Sequence, residues 1–229
     1  MSRRRPHERS EHVTKQAHFP LATAGQRIGL LGGSFDPPHQ GHLHISRWAL
    51  KSFGLDRVWW MVSPGNPLKA RGPASMGRRL EACRALADDP RMVVTDIESH
   101  LGTRYTAATL QALLPRYRGA RFVWLMGADN LAEFHRWKDW DWIMEALPIG
   151  VLGRPGEQLA AGCSPAARRY RNYRLQARRA EALPFREAPC WSLLTGPMVR
   201  LSSTQIRAQG DWPTSAGGVP SSGKTSPET

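Results

Sequence analysis

The feature that most limits how this chain can fold is the regular exchange of short apolar runs with segments of helical period. Residues 28–31, 58–62, 92–95, 121–126, 149–152 and 191–194 are short runs of mostly apolar side chains, and they read as strands. Between them, residues 41–53, 76–87, 106–114 and 140–147 read as helices, the first stopped by Gly54 just past its last turn. Strands that are apolar at almost every position are buried on both faces, and repeated strand-helix-strand units of this kind build a mostly parallel sheet covered on both sides. In such sheets ligands meet the carboxyl ends of strands near the point where strand order reverses. The segments directly after strands are therefore the ones to search.

The rest of the chain limits the size of that unit. Residues 1–26 are polar without a sustained period, and residues 209–229 run into a Gly/Ser/Pro-rich stretch. Both compositions predict disordered extensions around one catalytic domain spanning residues 27–208. Lys and Arg outnumber Asp and Glu 32 to 19, a net charge of +13, which attracts polyanions without saying which. The stretch 154–186 alone holds eight Arg against two Glu, and is open to two readings, a solvated helical face or a clamp over polyphosphate. Cys83, Cys163 and Cys190 form no C-x-x-C pair, so neither a disulfide framework nor a zinc site is indicated. With no apolar run near the roughly 20 residues of a membrane span, a cytoplasmic protein is expected, without a membrane partner.

The segment after the first strand carries the chemistry. Gly32-Gly33-Ser34-Phe35-Asp36-Pro37-Pro38-His39-Gln40-Gly41-His42 leaves the strand through two glycines, which permit positive φ and let backbone N–H groups approach a ligand. His39 and His42, three apart, fall at the amino end of the next helix, where unpaired N–H groups already favour anions. This is a phosphate cradle, yet neither G-x-G-x-x-G nor G-x-x-x-x-G-K-[ST] occurs, which argues against a dinucleotide-binding dehydrogenase and a P-loop enzyme. Far along the chain, Leu201-Ser202-Ser203-Thr204-Gln205-Ile206-Arg207 sets three adjacent hydroxyls at a helix start, more than one cap needs.

The first segment resembles the G-x-F-x-P-x-H-x-G-H signature of the adenylyltransferase and cytidylyltransferase superfamily, with every fixed position occupied. The second resembles its I-S-S-T-x-I-R signature, changed only by Leu201. The middle of the chain is similar to bacterial nicotinate mononucleotide adenylyltransferases at Ser63-Pro64-Gly65-Asn66-Pro67-Leu68-Lys69, at Arg104-Tyr105-Thr106-Ala107-Ala108-Thr109-Leu110, and from Gly127-Ala128-Asp129 to Trp140. The turn Gly153-Arg154-Pro155-Gly156 matches theirs as well. The resemblance implies a Rossmann-like, doubly wound nucleotidyltransferase domain that joins ATP to nicotinate mononucleotide, releasing pyrophosphate on the route to NAD.

Carried over position by position, the resemblance assigns catalysis to His42 and His39. It gives ATP to Gly33, Ser34, Phe35, His39, His42, Asp129, Ser202, Ser203, Thr204 and Arg207. The acceptor falls to Asn66, Lys69, Tyr105, Thr106, Ala107, Trp137, Lys138 and Arg154, with Tyr105 and Trp137 sandwiching the ring. Mg²⁺ is expected on the ATP phosphates rather than on a protein site. The attacking phosphate is already an anion, so alignment and charge stabilisation are required and a general base is not. Two rival readings remain: another phosphorylated acceptor within the superfamily, and a basic nucleic-acid-binding module, which the charge suggests but which leaves both signatures unexplained. No nucleic-acid partner is expected, and an oligomer is possible without being indicated.

Overall fold

A computed structural model describes residues 19–65, 73–153, 158–196, 203–208 and 212. In chain order its elements are β1 (Arg27–Gly33), α1 (Gln40–Ser52), β2 (Arg57–Val62), α2 (Met76–Leu86), β3 (Met92–Thr95), α3 (Ile97–Leu101), α4 (Thr106–Leu113) and β4 (Arg121–Gly127). They continue with α5 (Ala128–Glu133), α6 (Trp140–Ala146), β5 (Ile149–Gly153), α7 (Gln158–Gly162), α8 (Pro165–Arg169), β6 (Arg174–Leu175), β7 (Trp191–Thr195) and α9 (Ser203–Ala208).

The strands form one seven-stranded sheet in the order β3-β2-β1-β4-β5-β7-β6. Every pairing is parallel, with Leu30 of β1 in register with Trp59 of β2 on one side and Trp124 of β4 on the other. Apolar clusters cover both faces. Ile28, Leu30, Trp59 and Trp124 point into one, while Leu31, Trp60, Val62 and Leu125 point into the other. That division explains why these strands read as unbroken apolar runs. The order reverses between β1 and β4, so the segments leaving those two strands, 34–42 and 128–140, border the crevice where such sheets bind ligands.

Two expectations change. Residues 19–26 belong to the packed unit: Pro20 is buried, the Arg116 guanidinium sits 4.0 Å from the Phe19 ring, and Gly25 N–H donates to Gly119 O at 2.7 Å. The described part of the Arg-rich stretch is not one helical face. It breaks into α7, α8, two 3₁₀ segments and the short edge strand β6, whose alternation of polar and apolar residues was too brief to read. Its arginines are solvent-exposed, several of them lying over rings: Arg169 over Trp140 and Tyr170, and Arg174 over Trp191.

Candidate active site

The turn after β1 is shaped by its neighbours more than by its glycines. Neither Gly32 nor Gly33 has positive φ; that conformation falls on Phe35, at φ 45°. A left-handed phenylalanine costs on the order of 1 kcal/mol or more and needs packing to hold it. Phe35 has that packing, being 1% exposed, stacked on Trp60 with ring centroids 5.3 Å apart, and 4.6 Å from the His42 ring. Gly32 is required for a different reason. A Cβ there would lie 2.6 Å from Trp124 Cη2. A Cβ at Gly33 would meet only the Phe35 ring at ordinary contact distance, 3.4 Å, so packing does not demand glycine at that position.

His39 and His42 cap α1 for each other. His39 is its extended N-cap residue, and its Nδ1 accepts from Gly41 N–H at 3.1 Å, while His39 N–H donates to His42 Nδ1 at 3.2 Å. An Nδ1 that accepts carries no proton, so the neutral His42 ring holds its proton on Nε2. Burial, and then the neighbouring His39, push the His42 imidazole down to about 3, leaving it neutral at physiological pH. His42 is thus a fixed hydrogen-bond donor rather than a cation. Its main-chain oxygen accepts from Ser46 Oγ at 2.8 Å, and Ser46 Oγ accepts from Trp60 Nε1 at 2.7 Å, which ties the start of α1 to β2.

Asp36 joins this turn to segments remote in sequence. Its Oδ1 accepts from Ala74 N–H at 3.1 Å and from Trp212 Nε1 at 2.7 Å, while the Arg207 guanidinium reaches both its Oδ2, at 3.8 Å, and its main-chain oxygen. Ser203 Oγ donates to Pro37 O at 2.9 Å. The two segments singled out in the sequence therefore meet, with Gly33, Phe35, His39 and His42 on one side and Ser203 and Arg207 on the other. Ser34 enters through its carbonyl, which accepts from Arg79 Nη1 at 2.7 Å.

Tyr105 is the extended N-cap of α4 and is 42% exposed, and no side chain caps the helix, whose first residues are Thr106 and Ala107. Lys138 Nζ lies 5.0 Å from the Tyr105 ring centroid. Trp137 is half-buried edge-on against Phe134 and Trp124. Among the described residues no ring contact joins Tyr105 to Trp137. Asp129 stands exposed in the first turn of α5, its Oδ1 curled to 2.2 Å from where a Gly127 Cβ would be. Asn66, Lys69, Arg154 and Ser202 lie outside the described residues, as does the side chain of Thr204.

Sequence reasoning missed Asp36, Arg79 and Trp212. Asp36 occupied an unfixed position of the first signature, Trp212 fell in a stretch read as a tail, and an arginine in a helical pattern reads as surface. Only the distances between remote segments reveal them.

A parallel sheet whose reversal point is lined by imidazole, hydroxyl and guanidinium donors can hold the phosphates of a nucleotide, as a nucleotidyltransferase must. The model of the cytidylyltransferase-like family matches residues 30–209. A Ruegeria pomeroyi protein named as a probable nicotinate-nucleotide adenylyltransferase is 61% identical over 194 residues, covering 85% of this chain and 91% of the relative. One of the same name from Parvibaculum lavamentivorans is 52% identical over 197 residues, covering 86% and 98%. The chain belongs to the cytidylyltransferase-like family and, within it, to the nicotinate-nucleotide adenylyltransferases. The same fold is found in Plasmodium falciparum nicotinic acid mononucleotide adenylyltransferase complexed with NaAD, with a TM-score of 0.60 at 14% identity, over 80% of this chain and 83% of that one.

Proposed function

We propose that this enzyme transfers the adenylyl group of ATP to nicotinate mononucleotide, forming nicotinate adenine dinucleotide in NAD biosynthesis. A phosphate oxygen of the acceptor attacks the α-phosphorus, the bond to the bridging oxygen breaks, and pyrophosphate leaves with the electron pair. No proton must be removed from the attacking anion. The protein's task is to align the two phosphates and to stabilise the charge that grows on the transferring and leaving groups.

His42 Nε2–H serves the α-phosphate, with His39 on the phosphate chain. Gly33 leaves room for a phosphate to approach the main chain, beside Ser34 and Phe35. Ser203 and Arg207, together with Ser202 and Thr204, take the terminal phosphates, and Asp129 accepts hydroxyl donors of the adenosine or ribose. Mg²⁺ bound to the ATP phosphates would offset their charge, leaving the side chains of the turn to orient them. The donors around the turn are imidazole, hydroxyl and guanidinium groups, which suit phosphate oxygens.

The observation that carries the acceptor assignment is the uncapped amino end of α4 beside Tyr105 and Lys138. Unpaired helix N–H groups and an ammonium next to an exposed ring suit a flat aromatic bearing a carboxylate, which nicotinate has and nicotinamide lacks. Trp137, Asn66, Lys69 and Arg154 complete the acceptor side in this reading. No helix among the described residues is long and apolar enough to cross a membrane.

The test is turnover of purified protein with ATP·Mg and each pyridine mononucleotide separately, products being separated by chromatography. Nicotinate mononucleotide should turn over with at least about tenfold higher kcat/KM than the amide. Equal or better use of the amide, or no turnover of either, overturns the assignment.

A further inference from the structure

Arg79 is an unusual arginine. It lies on α2, which presents other charged residues to solvent, yet it is only 1% exposed. No carboxylate among the described residues forms an ion pair with it. Its guanidinium is instead satisfied by main-chain oxygens: Nε donates to Ala74 O at 2.8 Å, Nη1 to Ser34 O and Ser63 O, each at 2.7 Å, and Nη2 to Pro64 O at 3.4 Å.

Burying a cation without a paired carboxylate is costly, and the cost is tolerated only where its donors are well met. The four oxygens belong to three separate segments. Ser34 follows β1, Ser63 and Pro64 follow β2, and Ala74 precedes α2. The Ala74 peptide also links Arg79 to Asp36, because Ala74 N–H donates to Asp36 Oδ1 while Ala74 O accepts from Arg79. A planar guanidinium with donors fanned in fixed directions can bridge such a set, whereas an ammonium cannot hold all four oxygens at once.

We infer that Arg79 is a positioning residue for the acceptor half of the reaction, locking the segments that leave β1 and β2 in the arrangement that receives the pyridine mononucleotide. It touches no substrate. It acts through the Ser34 carbonyl, beside the place where Gly33 leaves room for an incoming phosphate, and through the carbonyls of Ser63 and Pro64. The inference rests on the reaction proposed above for the identity of the acceptor, but not for the bracing itself.

Arg79→Lys keeps the charge and most of the volume while losing the bridge. In steady-state kinetics it should raise KM for the pyridine mononucleotide about tenfold or more and change KM for ATP less than about threefold. In hydrogen exchange, protection should fall at residues 33–36 and 62–65 and stay unchanged in β4 and β5. A parallel rise of both KM values, or exchange that quickens uniformly across the sheet, would reduce Arg79 to a general stabiliser and overturn the inference. If wild-type enzyme proves to use a different mononucleotide, the functional reading fails, while the local exchange pattern and the KM split with that other acceptor still decide the role of Arg79.

Discussion

Arg207 donates to the main-chain oxygen of Asp36 and places its guanidinium 3.8 Å from the Asp36 carboxylate, joining the helix α9 to the turn after β1. The same carboxylate holds Trp212 and Ala74. Asp36→Asn keeps an acceptor for one of these donors but removes the charge that attracts Arg207. KM for ATP should rise about fivefold or more with little change in KM for the acceptor, and thermal unfolding should come several degrees earlier, as loss of a charge-assisted hydrogen bond of about 1.5–3 kcal/mol implies. Unchanged ATP kinetics would show that α9 holds its place without this pair.

His42→Ala removes one preorganised donor and should lower kcat about a hundredfold or more, while a circular dichroism spectrum like that of the wild type reports an intact sheet. Wild-type turnover in this variant would take His42 out of the reaction.

The same residue sets a pH dependence of stability. Its folded value of about 3 is below the ordinary 6.5, so protons bind more readily to the unfolded chain. The stability that His42 contributes is complete above pH 6.5 and is lost as pH falls toward 3. Urea midpoints measured across that window should decline more steeply for wild type than for His42→Ala. Parallel slopes would mean that the ring is not neutral in the folded state.

Gly32 and Gly33 separate packing from ligand approach. Gly32→Ala drives a methyl against Trp124, itself 2% exposed, and should destabilise by about 1–3 kcal/mol. Gly33→Ala has room in the unliganded protein and should unfold within about a degree or two of wild type, yet lose activity, because the methyl stands where a phosphate would meet the main chain. Differential scanning fluorimetry and a turnover assay on both variants check the pair; equal melting shifts would contradict the contacts described.

Glu98 offers the opposite sign of pH effect. It is 5% exposed on α3, and burial, opposed by a hydrogen bond from Thr109, pushes it up to about 7. A carboxyl raised from 4.5 leaves the fold fully stable below pH 4.5 and destabilises it as pH climbs through 7. Glu98→Gln should therefore be more stable than wild type at pH 8 and lose that advantage by pH 4.5, as chemical denaturation at the two values would reveal.

The sheet was largely legible in the sequence because six of its strands are buried on both faces, and a strand such as Val58-Trp59-Trp60-Met61-Val62 has no polar position to obscure it. β6 was not legible, since two residues at an exposed edge carry no period. The two signature segments were legible as motifs, and their meeting at Asp36 was not, because a pattern along the chain carries no distance. Arg79 shows the same limit from the other side. Its helical position suggests a solvated charge, and only the stacking of β1 beside β2 brings together the carbonyls that bury it.

The contact between Ser203 and Pro37 spans 166 positions of sequence. On the ribosome the β1 turn and its two histidines emerge first, and at about 5–20 residues per second the segment that closes the phosphate end follows roughly 8 to 30 seconds later. A nascent chain can thus build most of its sheet before the contact between α9 and the β1 turn exists. In the reading proposed above, the site is complete only once α9 has been made, and a chain cut short before α9 should lack the ATP grip rather than bind with slightly lower affinity.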